Sequence, residues 1–224
     1  MGIRENLADV QARIRRAAQR SGRSVDEIRL LGVTKYASDE EVRELIGAGL
    51  LLFGENRMQS ARRRCELFPE AEWHFIGTLQ TNKVRYCQPF TLIHSLDRWA
   101  LAEALNARAL AWGKCQDVLI QVNVAGEASK QGLAPKEVRA FAQRVLSDCP
   151  QLNVRGLMTM APFVEPEEAR PVFREARRLF DELQADLRVQ WDTLSMGMTN
   201  DFEVAIEEGA TLVRIGSALF AKEE

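Results

Sequence analysis

Ser195-Met196-Gly197-Met198-Thr199 and Arg214-Ile215-Gly216-Ser217 decide the fold prediction, because each stretch closes a short apolar run. In parallel βα barrels, the loops after the last two strands commonly bind phosphate together with the N-terminus of a short helix. Glycines let backbone N–H groups approach anionic oxygens, and hydroxyl groups add further donors. The two stretches therefore favour a barrel with a phosphate site, although glycines at such positions are also typical of simple tight turns.

Outward from these stretches, short apolar runs alternate with longer amphipathic segments along the chain, which is typical of alternating β and α units. The runs contain few polar residues, as expected for strands that are buried on both faces. Strands are predicted at residues 29–33, 50–53, 73–76, 92–94, 118–123, 154–158, 193–195 and 211–215. An open doubly wound sheet would produce the same alternation, but eight strands and the residues at their ends favour a single (β/α)8 TIM-type barrel.

Helices are predicted between these strands, and Ser38 with Glu41 forms a capping box at the start of one of them. The predicted helices cover residues 3–20, 39–47, 56–67, 97–112, 135–147, 167–187 and 201–208, with a final turn from Ser217. Only the segment around residues 80–86, after the third strand, is short. No Pro, Gly or Ser linker divides the chain, so we expect one domain over residues 1–224 with an extra N-terminal helix, residues 1–20, packed on the barrel.

The composition predicts an ordinary globular protein, with 46% apolar and 28% charged residues among 224. Lys and Arg number 30 against 32 Asp and Glu, which favours neither nucleic acid nor a membrane surface as a partner. The densest basic run, residues 62–64, is predicted to be a solvated helix face. The N-terminal region contains no signal peptide pattern, so a cytoplasmic protein is expected. The four cysteines are far apart and no His is at ligand spacing, which predicts reduced thiols and no metal site.

Lys35 follows the apolar run 30–33, which would place its ammonium in the mouth of the barrel rather than in bulk water. Burial lowers the pKa of a lysine, and a neutral amine is the form that condenses with an aldehyde. A lysine at a strand end is also commonly just solvated. The position becomes informative only together with the groups at the other strand ends.

A set of motifs in the same order along the chain resembles the pyridoxal phosphate homeostasis protein family. The resemblance spans about residues 28–220. That family is similar in fold to the N-terminal barrel of bacterial alanine racemases. The stretch from His74 to Lys83 is long enough to be highly specific. The matching segments are Val33-Thr34-Lys35, Phe53-Gly54-Glu55-Asn56, residues 73–83, His94-Ser95-Leu96-Asp97, Gln121-Val122-Asn123, Lys130-Gln131-Gly132, Gly156-Leu157-Met158, Ser195-Met196-Gly197-Met198 with Asp201, and Arg214-Ile215-Gly216.

The resemblance implies a pyridoxal 5'-phosphate site whose Schiff base forms on Lys35. It implies that Ser195, Gly216 and Ser217 hold the phosphate, with Met196 beside them, and that Asn56 and His74 line the pocket. It also implies that Arg214 faces the pyridine nitrogen, where a permanent cation disfavours protonation and makes the ring a poorer electron sink.

Several of these positions have a purely structural interpretation. His74, between Trp73 and Phe75, is equally typical of a hydrogen-bonded core residue, and His94 is expected to be structural, fixing the mouth with Ser95 and Asp97. Lys83 and Lys130 resemble family positions but are predicted to be solvated. Residues 57–60 and Ala221 depart from the family pattern, which affects the pocket rim and the C-terminus rather than the Schiff base.

Three functions are compatible with such a site. The first is a non-catalytic carrier for vitamin B6 homeostasis, which stores, buffers or delivers the cofactor, with pyridoxal phosphate-dependent apoenzymes as possible partners. The second is an amino-acid racemase, which needs two bases. Alanine racemases take one from a Tyr of an additional domain, and this chain ends within ten residues of its last predicted strand. We therefore expect a carrier, as a monomer. The third is an interaction module that the cofactor tunes.

Overall fold

The computed structural model describes residues 2–127 and 131–221 and contains a closed parallel barrel of eight strands. Each strand pairs with the next, and β8 closes the barrel by pairing with β1 through Leu31 and Arg214, among other pairs. The strands are β1 Arg29–Val33, β2 Leu52–Glu55, β3 Glu72–Phe75, β4 Leu92–Leu96, β5 Gln116–Gln121, β6 Leu152–Met158, β7 Thr193–Ser195 and β8 Leu212–Ile215. The predicted (β/α)8 barrel is therefore confirmed.

The helices lie around the barrel in the predicted order. They are α1 Ile3–Arg20, α2 Asp39–Gly47, α3 Met58–Leu67, α4 Trp99–Trp112, α5 Pro135–Asp148, α6 Pro166–Leu187, α7 Phe202–Glu207 and α8 Ser217–Phe220, with 3-10 turns at Val25–Glu27 and Thr81–Tyr86. The second of these turns replaces a helix after β3, where the sequence predicts a short connection. Among the described residues, no helix has both the length and the hydropathy that crossing a membrane requires.

The second strand begins two residues later than predicted because of the way in which α2 ends. Gly49 has a φ of 92°, and the N–H of Leu50 donates to the carbonyl of Leu45 at 3.0 Å. Such a bond closes the last turn of a helix with a left-handed glycine. Leu50, which follows Gly49, therefore completes the cap of α2, and the strand begins only at Leu52.

The apolar side chains form two layers. The outer layer lies between the strands and the helices and is one continuous cluster, which includes Phe53, Phe75 and Phe173. The inner layer, inside the barrel, contains two small groups. These groups are Leu31, Leu52 and Leu212 on one side, and Leu92, Leu119 and Met158 on the other. Side chains alternate across a strand, so β1, β2, β4, β5, β6 and β8 contribute apolar residues to both layers. The buried interior residues of β3 and β7 include the polar His74 and Ser195.

Helix α1 packs against α2, α7 and α8 at one side of the barrel. Its buried face includes Leu7, Val10 and Ile14. The buried amide of Asn6 donates to the carbonyls of Leu219 and Ala221 at 3.2 and 2.9 Å. These bonds fix α8, the short helix that follows β8.

Candidate functional site

The residues that the sequence assigns to the site lie at one end of the barrel. Each lies within two residues of the carboxyl end of its strand, on β1, β2, β3, β7 or β8. They are Lys35, Asn56, His74, Ser195, Met196, Arg214, Gly216 and Ser217. Because the strands are parallel and closed, these ends form one mouth, which is the face on which βα barrels place functional groups.

Lys35 lies in the turn that follows β1, and its side chain is exposed. Its Nζ lies 4.8 Å from the ring centroid of Tyr36, which is itself 81% exposed. The expectation that Lys35 is drawn out of bulk water is therefore wrong. The backbone leaves the packed interior where β1 ends at Val33, so Lys35, two residues later, lies at the rim of the barrel.

A buried ion pair holds the loop that carries Lys35. Glu55, at the end of β2, is fully buried and accepts hydrogen bonds from the Thr34 hydroxyl at 2.6 Å and from the Arg64 guanidinium. The same guanidinium donates to the carbonyls of Thr34 and Ala37. One arginine of α3 therefore fixes the backbone on both sides of Lys35.

The solvated helix face predicted for residues 62–64 is therefore wrong for Arg64, which is only 6% exposed. The other two arginines make surface contacts: Arg63 pairs with Asp39, and the Arg62 guanidinium carbon lies 4.7 Å from the Tyr86 ring centroid. The sequence contained a signal for this clamp, the buried ion pair of Glu55 and Arg64 that holds the Lys35 loop. Glu55 directly follows an apolar run, and a buried carboxylate requires a cation or several donors.

A chain of hydrogen bonds crosses the barrel interior below the mouth. Arg214 Nη1 donates to Ser195 Oγ at 2.6 Å, and Ser195 Oγ lies 3.1 Å from His94 Nδ1. His94 Nε2 lies 3.0 Å from His74 Nδ1, and His74 Nε2 lies 2.9 Å from Glu72 Oε1. Glu72 is the first residue of β3, so this interior chain runs from the mouth to the amino end of the barrel.

Burial and neighbouring charges set the protonation of the interior chain. Burial lowers the pKa of His74. Burial and the nearby Arg214 cation lower the pKa of His94 well below its usual value. The hydrogen bond from His74 lowers the pKa of Glu72 to about 2, although its partial burial opposes this. Burial lowers the pKa of Arg214 to about 10. At neutral pH the interior chain therefore has a cation at the mouth, two neutral imidazoles and a carboxylate at the far end.

The structure changes the surroundings expected for His94. The expectation that His94 fixes the mouth with Ser95 and Asp97 is wrong, because both of its ring nitrogens bond within the interior chain, to His74 and Ser195. Both ring nitrogens of His74 are likewise engaged, with Glu72 and His94. The two histidines are therefore one unit.

Ser195 and Met196, at the end of β7, are buried rather than exposed at the mouth. Met196 is fully buried in the outer layer, and its N–H donates to the Leu212 carbonyl at 3.2 Å. The Ser195 hydroxyl is fully buried under Arg214. Gly216 and Ser217 lie beyond them, at the start of α8.

Two cavities open at the mouth. One, of about 640 Å³, lies between the loop after β1 and α8. It is lined by Tyr36, Ser38, Glu41, Ser217, Phe220 and Ala221. The other, of about 810 Å³, lies beside α3 and includes Asn56 and Lys83 in its lining. The Oδ1 atom of Asn56 is buried and has no hydrogen-bond partner among the described residues. Lys130, the other lysine singled out in the sequence, lies outside the described residues.

The fold and a family comparison define the class of protein. The profile of the family described as alanine racemase, N-terminal domain, matches residues 6–223. PipY of Synechococcus elongatus, solved without and with PLP bound, is 35% identical, with TM-scores of 0.86 and 0.83. The match covers 98% of this chain and 100% of PipY. The class is thus a barrel of the alanine racemase N-terminal type.

Full-length relatives narrow this class. The pyridoxal phosphate homeostasis protein of Aquifex aeolicus is 47% identical over an alignment that covers 99% of each chain. The protein of the same name from Pseudomonas aeruginosa is 46% identical, over 97% of this chain and 94% of the relative. The chain belongs to the pyridoxal phosphate homeostasis protein family.

Proposed function

We propose that this chain binds pyridoxal 5'-phosphate as a Schiff base on Lys35 and serves vitamin B6 homeostasis by storing, buffering or delivering the cofactor. One observation carries the proposal. Lys35, Asn56, Arg214, Gly216 and Ser217 all lie within two residues of the carboxyl ends of β1, β2 and β8, in a chain whose full-length relatives are named pyridoxal phosphate homeostasis proteins. The PLP-bound PipY structure supports the same cofactor.

The polar groups at the mouth fit this ligand. The buried Asn56 Oδ1 lacks a partner among the described residues, and such an atom is costly unless a ligand or water satisfies it. Ser217 shares its cavity with the loop that follows Lys35, which fits a phosphate held between a hydroxyl and the backbone at Gly216. We assign the phosphate to Gly216 and Ser217. The Ser195 hydroxyl, which the resemblance also assigns to the phosphate, is bonded to Arg214, and the Met196 side chain packs in the outer layer. When bound, the cofactor supplies an aldehyde and an electron-withdrawing ring.

Lys35 and Arg214 have separate roles in this proposal. Lys35 would supply the amine of the covalent link, and its exposed position leaves that amine open to a cofactor entering the mouth. Arg214 stays protonated at neutral pH and donates to neutral oxygens, so beside a pyridine nitrogen it disfavours a second positive charge. An unprotonated ring withdraws electrons weakly, which suits holding the cofactor more than transforming amino acids. His74 contributes through the interior chain.

The Lys35→Ala variant tests the covalent link. Wild-type protein reconstituted with pyridoxal phosphate should show a visible absorption band, and borohydride reduction followed by peptide mass analysis should locate the added mass at Lys35. Lys35→Ala should lose the band and keep its fold, because Lys35 is exposed. The matched control is Lys83→Ala, another exposed lysine at the rim, which should retain the band. A wild type without a band contradicts the proposal.

An amino-acid racemase is the second candidate, favoured by the match to the alanine racemase N-terminal domain. Racemisation requires a base on each face of the substrate α-carbon. The tyrosines of the sequence are Tyr36 and Tyr86; Tyr36 is exposed next to Lys35, and Tyr86 lies under Arg62 and Arg85. When single-enantiomer alanine is incubated with the holoprotein, the alanine should therefore keep its optical activity. Rapid loss of that activity would replace the carrier with a racemase.

We further propose a monomer in the cytoplasm that hands its cofactor to pyridoxal phosphate-dependent apoenzymes. The described cysteines are unpaired, which suits a reducing compartment. Light scattering after size exclusion tests the monomer. Cofactor transfer is tested in two arrangements. In one, a dialysis membrane separates the holoprotein from an apoenzyme; in the other, the two proteins are mixed directly. Faster activation in direct contact supports delivery by encounter, and equal rates contradict it. Capture from lysate with and without cofactor would detect an interaction module.

A further inference from the structure

The interior chain links the mouth to the opposite end of the barrel. It runs from Arg214 through Ser195, His94 and His74 to Glu72. The three middle side chains are almost completely buried. Glu72 is half-buried at the amino end and also accepts from Arg29 and Thr91 at 2.7 and 3.2 Å. The histidines in it are the only two of the sequence.

We propose that Glu72 is a positioning residue for Arg214, because its carboxylate fixes the donor direction of every hydrogen bond in the interior chain. A carboxylate only accepts, so His74 Nε2 must carry the proton that faces it. Nδ1 of the neutral His74 ring is then an acceptor, which requires a proton on His94 Nε2. Nδ1 of His94 is an acceptor in turn and receives the Ser195 hydroxyl hydrogen. The lone pairs of Ser195 Oγ are left for Arg214.

The opposite direction is disfavoured by the charges around Glu72. It would place an unprotonated His74 Nε2 against a carboxylate oxygen 2.9 Å away, unless Glu72 were protonated. Arg29 Nη2 and Thr91 Oγ1 both donate to the Glu72 carboxylate, which stabilises its ionised form. The low pKa of Glu72 agrees with this state. Both histidines are thus held as neutral Nε2–H tautomers.

This direction matters for the cation at the mouth. Arg214 donates to two neutral oxygens, Ser195 Oγ and the Thr159 carbonyl, at 2.6 and 2.9 Å. The aligned dipoles of Ser195, His94 and His74 present their negative ends toward the guanidinium, and hydrogen bonds in such a series polarise one another in a low-dielectric interior. Glu72 therefore stabilises Arg214 and fixes its orientation without touching it. The consequence for the cofactor rests on the proposed function, because Arg214 is the residue assigned to the pyridine nitrogen.

Nitrogen NMR of the untagged protein without cofactor tests the tautomers directly, because only two imidazoles contribute signals. At neutral pH both rings should be neutral with the proton on Nε2. An Nδ1–H tautomer or a protonated ring at either histidine would overturn the proposal. This measurement on wild type requires no variant to fold and no cofactor to bind, so its result stands whether or not the proposed function holds.

Variants of Glu72 test whether it sets the hydrogen-bond direction in the interior chain. Glu72→Met removes the acceptor, and both rings should then show a mixture of tautomers. Glu72→Gln places an amide donor beside His74 Nε2 when its oxygen accepts from Arg29, so it should also mix the tautomers. Arg29→Met is the matched control, because it removes the surface ion pair and leaves the carboxylate. If Glu72→Met keeps pure Nε2–H signals at both rings, Glu72 does not set the direction and the proposal fails.

The effect on Arg214 is tested in reconstituted protein. Glu72→Met should weaken pyridoxal phosphate binding about 3- to 10-fold, the factor expected for one weakened hydrogen bond, and should shift the absorption maximum. Arg29→Met should match wild type in both respects. Unchanged affinity and spectrum in Glu72→Met, with altered tautomers, would overturn the link to Arg214. Absence of binding in wild type would contradict the proposed function alone.

Discussion

The outer layer and the interior of this barrel are built from alternate residues of the same strands, yet they differ in chemistry. The outer layer is a continuous apolar cluster that fills the space between strands and helices. The interior has two groups of three apolar residues, with the hydrogen-bonded chain from Arg214 to Glu72 crossing the same space. The difference teaches that apolar packing between strands and helices stabilises this fold, whereas part of the barrel interior holds polar side chains that bond to one another.

The largest expected effect comes from the outer layer. Phe173 on α6 is fully buried, so Phe173→Ala should lower the free energy of unfolding by about 3–5 kcal/mol, through lost burial and the cavity left behind. Urea denaturation measures this. Phe163→Ala is the same substitution at a side chain that is 91% exposed, and it should stay within about 0.5 kcal/mol of wild type. Equal losses in the two variants would remove the assigned role of the outer layer.

The clamp on the Lys35 loop should be the next most sensitive feature. Arg64→Met leaves the fully buried Glu55 without its cation, which should cost about 3 kcal/mol of stability. Arg63→Met, which breaks an exposed pair with Asp39, should cost less than about 1 kcal/mol. The double variant Glu55→Gln with Arg64→Met should recover part of the loss. No recovery would mean that packing of the Arg64 side chain, not charge, holds this loop.

The interior chain should make stability fall in acid. Burial lowers the pKa of both histidines below their unfolded value of about 6.5, so the unfolded chain binds more protons below that pH. Stability is therefore full above about pH 6.5 and decreases as the pH falls. Glu72, with a pKa of about 2, adds a second loss as the pH falls from about 4.5 toward 2.

Screening limits the contribution of Glu72, because its side chain is 38% exposed; about 1–2 kcal/mol is expected rather than the full value of the shift. Urea titrations across this pH range should show both losses in wild type. Glu72→Met should lack the lower one. A flat stability profile between neutral pH and about pH 5 would contradict neutral, buried histidines.

The smallest effect is expected at the rim. Tyr36→Ala removes a ring that is 81% exposed and lies 4.8 Å from Lys35 Nζ, so the free energy of unfolding should change by less than about 1 kcal/mol. The same variant should still form the absorption band, because the covalent link needs the amine alone. A loss of stability as large as that of Arg64→Met would show that the rim belongs to the packed structure.

The fold was largely predictable from the sequence because strand and helix periods are local. The bounds of β1, β7, α1 and α2 agree with the prediction at both ends. The shifts arise where local signals overlap, as after Gly49, where apolar residues complete a helix cap before they begin a strand. The placement of the site residues at strand ends was also predictable, since parallel strands in a closed barrel bring their carboxyl ends together.

The partners of the polar residues were not predictable. Arg64 belongs to a basic run that reads as a solvated face, and nothing local shows that it reaches Glu55 and the carbonyls beside Lys35. His94 sits next to Ser95 in the sequence, yet it bonds Ser195, which is 101 residues away. Contacts of this kind depend on strand register and barrel closure, which no short stretch encodes.

The sequence by itself determined the eight strands, the helices between them, the family and the set of residues at the mouth, because hydrophobic period and motif order are properties of the chain. Only the tertiary structure decided that Lys35 is exposed, that Arg64 clamps its loop, and that Arg214 is joined to Glu72 through two histidines. The physical reason is burial. A polar side chain withdrawn from water must find partners, and closure of the barrel determines which ones lie within reach.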